Sequence, residues 1–182
     1  MKETWNRIEK WLQNNASKVL ENLSPGTNED KIRELENLLD IKMPADLKES
    51  YLIHNGQITD RYPLMDDWNL LSLDNAINEW KLMKKLHEKG DFDTPACASE
   101  GVSSDWWNIK WLPILSNGSG DFYCVDFAPN SEDNIGQIIH FSHVDSLREK
   151  ISNNWYDLLL EYASSLENRR YKFRNDVLKK VK

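Results

Sequence analysis

The sequence predicts an α+β fold: one domain with a central, twisted and mainly antiparallel sheet flanked by helices, and with a long C-terminal helix. Helical periodicity occupies both ends of the chain, and short apolar runs divided by turn residues occupy its middle. The 182 residues, 40% hydrophobic and 29% charged, suffice for one buried core and are few for two domains. We therefore treat residues 1–182 as a single domain.

Apolar spacing and capping residues predict three helices at the N-terminal end. Apolar residues recur at helical spacing from residue 5 to residue 12. Thr27 is a suitable N-cap for a second helix. Pro44 suits the first position of a third, which we expect to end in a left-handed C-cap at residues 54–56.

The middle of the chain predicts strands around one further helix. In order, we expect a strand over 68–73, a helix over 74–90, a polar loop over 91–105, a hairpin of 111–115 with 122–127, and a third strand over 136–141. The strands form an antiparallel meander. Loops as long as 91–105 are usually functional or mobile.

The C-terminal end predicts helices and carries most of the positive charge. Asp145 can cap a short helix through Ile151, and a long basic helix begins at Trp155 and occupies 156–182. From Arg169 onward there are seven Lys or Arg residues and one Asp, a local charge of +6. Because the whole chain has a net charge of -7, residues 1–168 carry -13.

Charge and composition also indicate the class of partner. An acidic body repels nucleic acid and membrane surfaces and attracts basic partners. The N-terminus lacks the apolar run of a signal peptide, and two cysteines are too few for a disulfide framework. We expect a cytoplasmic protein with a protein partner, and neither nucleic acid nor a membrane.

The glycine loop at residues 117–121 and its carboxylates suggest catalysis only at first sight. Phosphate loops lead from a strand into a helix, whereas this loop leads into a second strand. Asp121 and Asp126 are five positions apart, which sends their side chains to opposite faces of one strand. Asp121 is better explained as a residue that fixes the turn through hydrogen bonds. We predict no catalytic residues, and hence no enzyme.

Cys124, His140 and His143 are the best candidates for metal ligands. Adjacent antiparallel strands could bring Cys124 near His140, but the sequence offers no evident fourth ligand. We therefore predict no metal and no cofactor, and keep a small-ligand or metal site near Cys124 and His140 as an alternative.

Exposed aromatic rings and carboxylates are the candidates for partner binding. Trp68, Trp106 and Trp107 border irregular segments, where each could lie either in the core or at an interface. The candidate partner-binding residues are Trp68, Asp66, Asp67, Asp91, Asp93, Trp106, Trp107 and Asp121.

Several short motifs in a fixed order carry a family resemblance. They are L-S-P-G-T, I-K-M-P-A-D-L-K-E-S-Y-L-I-H-N-G, W-L-P-I, N-G-S-G-D, V-D and G-Q-I-I-H-F. Over about residues 22–155 the chain resembles the SUKH superfamily, whose founding members are the yeast cell-wall assembly regulators of the Smi/Knr type. The matching positions, to which the resemblance gives structural roles, are Pro44, Asn55, Gly56, Trp111, Pro113, Gly118, Gly120, Asp121, Asp126 and Gly136.

The resemblance implies a non-enzymatic binding protein. Most bacterial members look like immunity proteins, so we expect a chain that binds and neutralises a cognate toxin, possibly a nuclease, in the bacterial cytoplasm. The acidic body agrees, because a toxin that acts on nucleic acid needs a positive surface. The alternative is a regulatory scaffold that binds an endogenous signalling or cell-wall synthesis protein.

Overall fold

The computed structural model describes residues 1–181, and Lys182, the last residue of the predicted C-terminal helix, lies outside them. The helices of this region are α1 (Lys2–Asn15), α2 (Ser17–Glu21), α3 (Glu29–Leu39), α4 (Ala45–Ile53), α5 (Leu73–Glu88) and α6 (Trp155–Glu167). The strands are β1 (Leu23–Pro25), β2 (His54–Gln57), β3 (Asn69–Leu70), β4 (Cys97–Ala98), β5 (Trp111–Ser116), β6 (Phe122–Asp126), β7 (Ile138–Phe141), β8 (Leu147–Ser152), β9 (Tyr171–Arg174) and β10 (Val177–Lys180). None of these helices is long and apolar enough to cross a membrane.

The main sheet confirms the predicted α+β fold and its meander. Its strand order is β3-β5-β6-β7-β8-β4, and only the β4–β8 pair is parallel. Residues opposite each other on paired strands share a face. Phe122 and Phe141 therefore lie on one face and Tyr123 and His140 on the other.

Two small two-stranded sheets and one pair of packed helices complete the domain. β1 pairs with β2, and β9 pairs with β10. The first helix packs on the last: the Arg7 guanidinium donates to both carboxylate oxygens of Glu167, at 2.9 and 2.6 Å. Inside, the indole Nε1 of Trp5 donates to Ser50 Oγ at 2.9 Å. The helix predicted over 74–90 is confirmed as α5.

The long C-terminal helix predicted over 156–182 ends at Glu167 and is followed by a β-hairpin. Asn175 and Asp176 adopt positive φ angles of 51° and 64° between the paired residues Arg174 and Val177. Two residues with positive φ make a tight turn whose twist suits a hairpin. Asn and Asp tolerate this conformation better than most residues, which explains why the chain reverses here.

Three other local predictions are wrong. Residues 145–151 form β8 and the turn before it, and not a helix. Arg148 points into the protein interior and Glu149 points outward, which is the alternation of a strand. Residues 54–56 belong to β2, and the C-cap of α4, His54, is extended with a φ of -134° and not left-handed. Gly56 is needed for another reason: a Cβ there would come within 2.2 Å of the Ser72 backbone nitrogen, and its φ is +80°. At the start of α3, the N-cap is Asn28, not Thr27.

A fully buried arginine fixes the long loop against the sheet. The guanidinium of Arg148 donates to the backbone carbonyl of Trp106 at 2.9 and 3.0 Å and to that of Asp145 at 2.7 Å. It also lies 4.9 Å from the centroid of the Trp106 ring and 4.6 Å from that of Phe141. Burial lowers its pKa to about 10. These contacts join β8 to the segment that precedes β5.

We expect Arg148→Lys to lower the free energy of unfolding by about 2–4 kcal/mol, because a lysine cannot reach both carbonyls and leaves buried polar groups unpaired. Urea denaturation monitored by tryptophan fluorescence measures the change. The same substitution at exposed Arg33 on α3 is the control, and we expect it to change stability by less than about 0.5 kcal/mol. Equal stability of the two variants would show that Arg148 does not hold the loop.

Candidate functional site

A tight turn at residues 65–68 positions Trp68 beside the sheet. Trp68 N donates to the carbonyl of Met65 at 2.7 Å, and Trp68 O accepts from Leu64 N at 3.0 Å. Asp66 has a φ of 51°, and its carboxylate accepts from the Tyr171 hydroxyl at 3.1 Å and from Lys180 N at 2.7 Å. Hydrogen bonds within the turn and hydrogen bonds to the C-terminal hairpin therefore hold the turn, and with it Trp68, in place.

Three aromatic side chains form a platform on one face of the sheet. Trp68 stacks on Tyr123, with ring centroids 4.2 Å apart and an interplanar angle of 27°. His140, opposite Tyr123 in the β6–β7 register, meets both rings edge-on, at 5.7 and 5.6 Å. All three residues are only partly buried. We call Trp68, Tyr123 and His140 the aromatic platform.

Carboxylates surround the aromatic platform. Burial, and then the nearby charges of Asp66 and Glu149, raise the pKa of Tyr123. Burial lowers the pKa of His140 below 6.5, although Asp121 and Glu149 oppose this. This shift favours the neutral form of His140, and the nearby carboxylates attract cations towards the rings. The platform together with Asp66, Glu149 and Asp121 is the acidic–aromatic surface.

Asp121 joins the tip of the β5–β6 hairpin to the end of β7. Its carboxylate accepts from His143 N at 2.9 Å and from Asn117 Nδ2 at 2.9 Å, and it lies 2.8 Å from His143 Nδ1. Partial burial opposes its ionisation, but the hydrogen bonds from His143 and Asn117 outweigh this and lower the pKa of Asp121. Asp121 is thus an anion fixed in place beside the platform.

Asp126 has a different environment from Asp121. It is fully buried and accepts from Trp111 Nε1 at 3.1 Å, Ala128 N at 2.9 Å and Gln137 Nε2 at 2.9 Å. Burial raises the pKa of Asp126 even though these hydrogen bonds act in the opposite direction. Asp126 has no access to a substrate. Its hydrogen bonds connect the end of β6 with the start of β5 and with the residue before β7.

The structure separates Cys124 from His140. Cys124 lies opposite Ile139 and His140 lies opposite Tyr123, so the thiol and the imidazole face opposite sides of the sheet. The expectation that adjacent strands bring them together is wrong. Burial raises the pKa of the Cys124 thiol well above its ordinary value. Within residues 1–181 no three His, Cys, Asp or Glu side chains are placed to hold a metal ion.

Other candidate residues form a second group under the long loop. Asp93, Trp106 and Trp107 line a cavity of about 270 Å³, and Asp91 is exposed just after α5. Trp107 is 1% exposed and packs edge-on against Trp111 and Phe141. Of the two predicted locations, core or interface, Trp107 therefore occupies the core. Asp67 lies beside Trp68, where it forms an ion pair with Lys179.

Family-motif residues also contact one another within the scaffold. A Cβ on Gly136 would come within 3.0 Å of Pro44 Cγ, so these two positions pack closely. Asn55 Oδ1 accepts from Leu73 N at 2.9 Å and fixes the start of α5. Gly118 and Gly120, at φ angles of 73° and 98°, shape the hairpin tip. These residues support the sheet and its loops.

The fold and the surface together define an α+β domain with a meander sheet, one face of which presents aromatic rings among fixed carboxylates. The sequence matches the SMI1 / KNR4 family (SUKH-1) over residues 26–161, and the chain belongs to that family.

Three fungal proteins show the relationship. The "Glucan synthesis regulatory protein" of Neurospora crassa is 23% identical over 205 residues, covering 92% of this chain and 38% of that protein. The "Cell wall biosynthesis/cell cycle regulator smi1" of Schizosaccharomyces pombe is 23% identical over 184 residues, covering 93% and 36%. The "Cell wall assembly regulator SMI1" of Saccharomyces cerevisiae is 23% identical over 200 residues, covering 90% and 40%. The chain thus spans two fifths or less of each relative.

The lowered pKa of Asp121 predicts a pH effect. The folded-state pKa lies below the ordinary value of 3.8, so ionised Asp121 stabilises the fold above that pH, and the contribution is lost as pH falls through the folded pKa. We expect Asp121→Asn to remove this contribution. Urea denaturation at several pH values should show a shallower loss of stability below about pH 4 than the wild type shows.

The same substitution at exposed Asp60 is the control and should follow the wild-type pH profile. A pH profile of Asp121→Asn that coincides with the wild type would contradict the fixed, ionised state of Asp121.

Proposed function

We propose that the chain is a regulatory protein-binding domain that recognises a basic segment of an endogenous partner through the acidic–aromatic surface. The observation that carries this proposal is the stacked pair of Trp68 and Tyr123, partly exposed and surrounded by Asp66, Glu149 and Asp121. Lysine and arginine side chains bind aromatic faces, and nearby carboxylates strengthen the attraction. Large aromatic anchors also dominate the energy of many interfaces.

A binding role without catalysis agrees with the chemistry of the buried groups. Asp126 is inaccessible, and the Cys124 thiol is buried with a raised pKa, which opposes formation of the reactive thiolate. The fungal relatives are named as regulators of glucan synthesis or of the cell wall. These names favour a partner in cell-wall synthesis or its control.

Toxin immunity is the second candidate function. The -13 charge of residues 1–168 favours it, because an acidic inhibitor associates quickly with a nucleic-acid-binding toxin. The two functions differ in a simple test. A regulatory domain gives a deletion phenotype with no toxin present, whereas an immunity protein rescues growth only when the neighbouring gene's toxin is co-expressed.

Trp68→Ala and Glu149→Lys test the surface itself. In a strain that lacks the chain, we expect the wild type to restore the regulated phenotype and both variants to fail. With the partner recovered from that strain, Trp68→Ala should weaken binding about thirtyfold, equivalent to about 2 kcal/mol. Glu149→Lys should slow association several-fold at low salt and much less at about 0.5 M salt, because salt screens exposed charges.

Glu34→Lys on α3 is the matched control, because it makes the same charge change at an exposed site outside the surface. Asp66 is unsuitable for charge reversal because its carboxylate holds the C-terminal hairpin. Circular dichroism must show that each variant is folded. If folded Trp68→Ala and Glu149→Lys bind and complement like Glu34→Lys, the acidic–aromatic surface is not the binding site.

A further inference from the structure

A basic groove runs along the C-terminal hairpin. It lies between β9, the end of α1 and the end of α6, and its volume is about 650 Å³. Its lining includes the aromatic side chains of Tyr171 and Phe173 and the charged side chains of Glu167, Arg169, Lys172 and Arg174.

One edge of the hairpin is covered and the other is open. In a two-residue hairpin the residues that flank the turn exchange hydrogen bonds, and every second residue then points its N–H and C=O outward. Arg174 and Val177 flank the turn, so Phe173 and Tyr171 point theirs away from β10. Lys180 confirms this alternation, because its outward N–H donates to Asp66.

No strand covers the outer edge of β9 within the described chain. β9 pairs only with β10 in residues 1–181, and the groove runs along its other side. The backbone N–H and C=O of Phe173 therefore face the groove. An extended peptide can bind such an edge by adding a strand, with backbone hydrogen bonds for affinity and side chains for specificity.

The charges of the groove favour an acidic occupant. Arg169, Lys172 and Arg174 form no ion pair with any residue of the described part of the chain. Glu167, the one carboxylate in the lining, is neutralised by Arg7 through two hydrogen bonds. The groove therefore presents three uncompensated cations beside an open strand edge.

Arg169 occupies a conformation that disfavours most side chains. It follows the last turn of α6 with a φ of 58°, and Arg170 N donates to Ser165 O at 2.9 Å across the helix end. Glycine is the usual residue at this position, since the left-handed region strains a residue that has a Cβ. An arginine here places a cation at the mouth of the groove at some cost in backbone energy.

We propose that this groove binds an extended acidic protein segment, which adds as a strand to the outer edge of β9. Side chains on the two faces of β9 differ: Lys172 and Arg174 share one face, and Phe173 lies on the other. A segment that alternates acidic and apolar residues matches both faces. A second copy of β9 does not, because its own cations would face Lys172 and Arg174. A nucleic acid backbone has no N–H and C=O groups that could pair along the edge of β9.

The test uses the full chain and a fluorescent ten-residue peptide of alternating glutamate and valine. We expect binding measured by fluorescence anisotropy to weaken at least tenfold in Lys172→Glu/Arg174→Glu and to weaken with rising salt. Lys81→Glu/Lys85→Glu, at two exposed positions of α5, makes the same charge change and should leave the affinity unchanged. A peptide with lysine in place of glutamate should bind the wild type no more tightly than it binds Lys172→Glu/Arg174→Glu.

Two further measurements are needed. The first tests whether the peptide adds as a strand, and the second tests whether binding can be lost while the fold is kept. Methylation of alternate backbone nitrogens of the acidic peptide should abolish binding if it adds as a strand. Arg169→Gly should keep or raise the melting temperature and still weaken binding several-fold.

Any one of three results would overturn the proposal: equal binding by the two double variants, equal binding of the methylated peptide, or tighter competing binding of a ten-nucleotide single strand. Because none of these variants touches the acidic–aromatic surface, the result is independent of the proposed function.

Discussion

The burial of one guanidinium group, that of Arg148, constrains the rest of the structure. Taking a cation out of water is costly, and no carboxylate of residues 1–181 forms an ion pair with it. Backbone carbonyls of Trp106 and Asp145 and the rings of Trp106 and Phe141 take that role. The segment before β5 must therefore lie against β8, which places Trp107 on Phe141 and closes one face of the sheet. The opposite face, with Tyr123 and His140, stays partly exposed.

Much of the fold could be predicted from the sequence because its signals are local. The hairpin of β5 and β6 follows from two apolar runs around Gly118 and Gly120, and α5 follows from helical spacing. The C-terminal hairpin was missed because Phe173 and Val177, four residues apart, fit a helical stripe. The Asn175–Asp176 turn was the available signal. Arg148 was missed because a charged residue is rarely fully buried, so β8 did not read as a strand.

The candidate site could be predicted only in part, for a topological reason. Asp66, Asp67 and Trp68 were recognisable as a polar turn that ends in an exposed aromatic residue. Tyr123 and His140 join them only through the register of β6 and β7 and the path of the chain between distant segments. No local pattern encodes that register. The apolar alternation of a strand shows which residues share a face, and not which distant turn packs on it.

The acidic body and the basic C-terminal segment, which are separate in the sequence, meet at the hairpin of β9 and β10. The acidic body compensates part of the charge of the basic C-terminal segment: Asp67 forms an ion pair with Lys179 and Glu161 with Arg170, while Asp66 accepts from the backbone nitrogen of Lys180. Lys18 forms an ion pair with Asp176 at the turn. Arg169, Lys172 and Arg174, which line the groove beside α1 and α6, form no ion pair with any of residues 1–181. Because Asp66 also belongs to the turn that carries Trp68, the same carboxylate fixes both the acidic–aromatic surface and the hairpin that bears the basic groove. Two surfaces of opposite charge thus share one connection, the hydrogen bonds of the Asp66 carboxylate to Tyr171 and to Lys180 N.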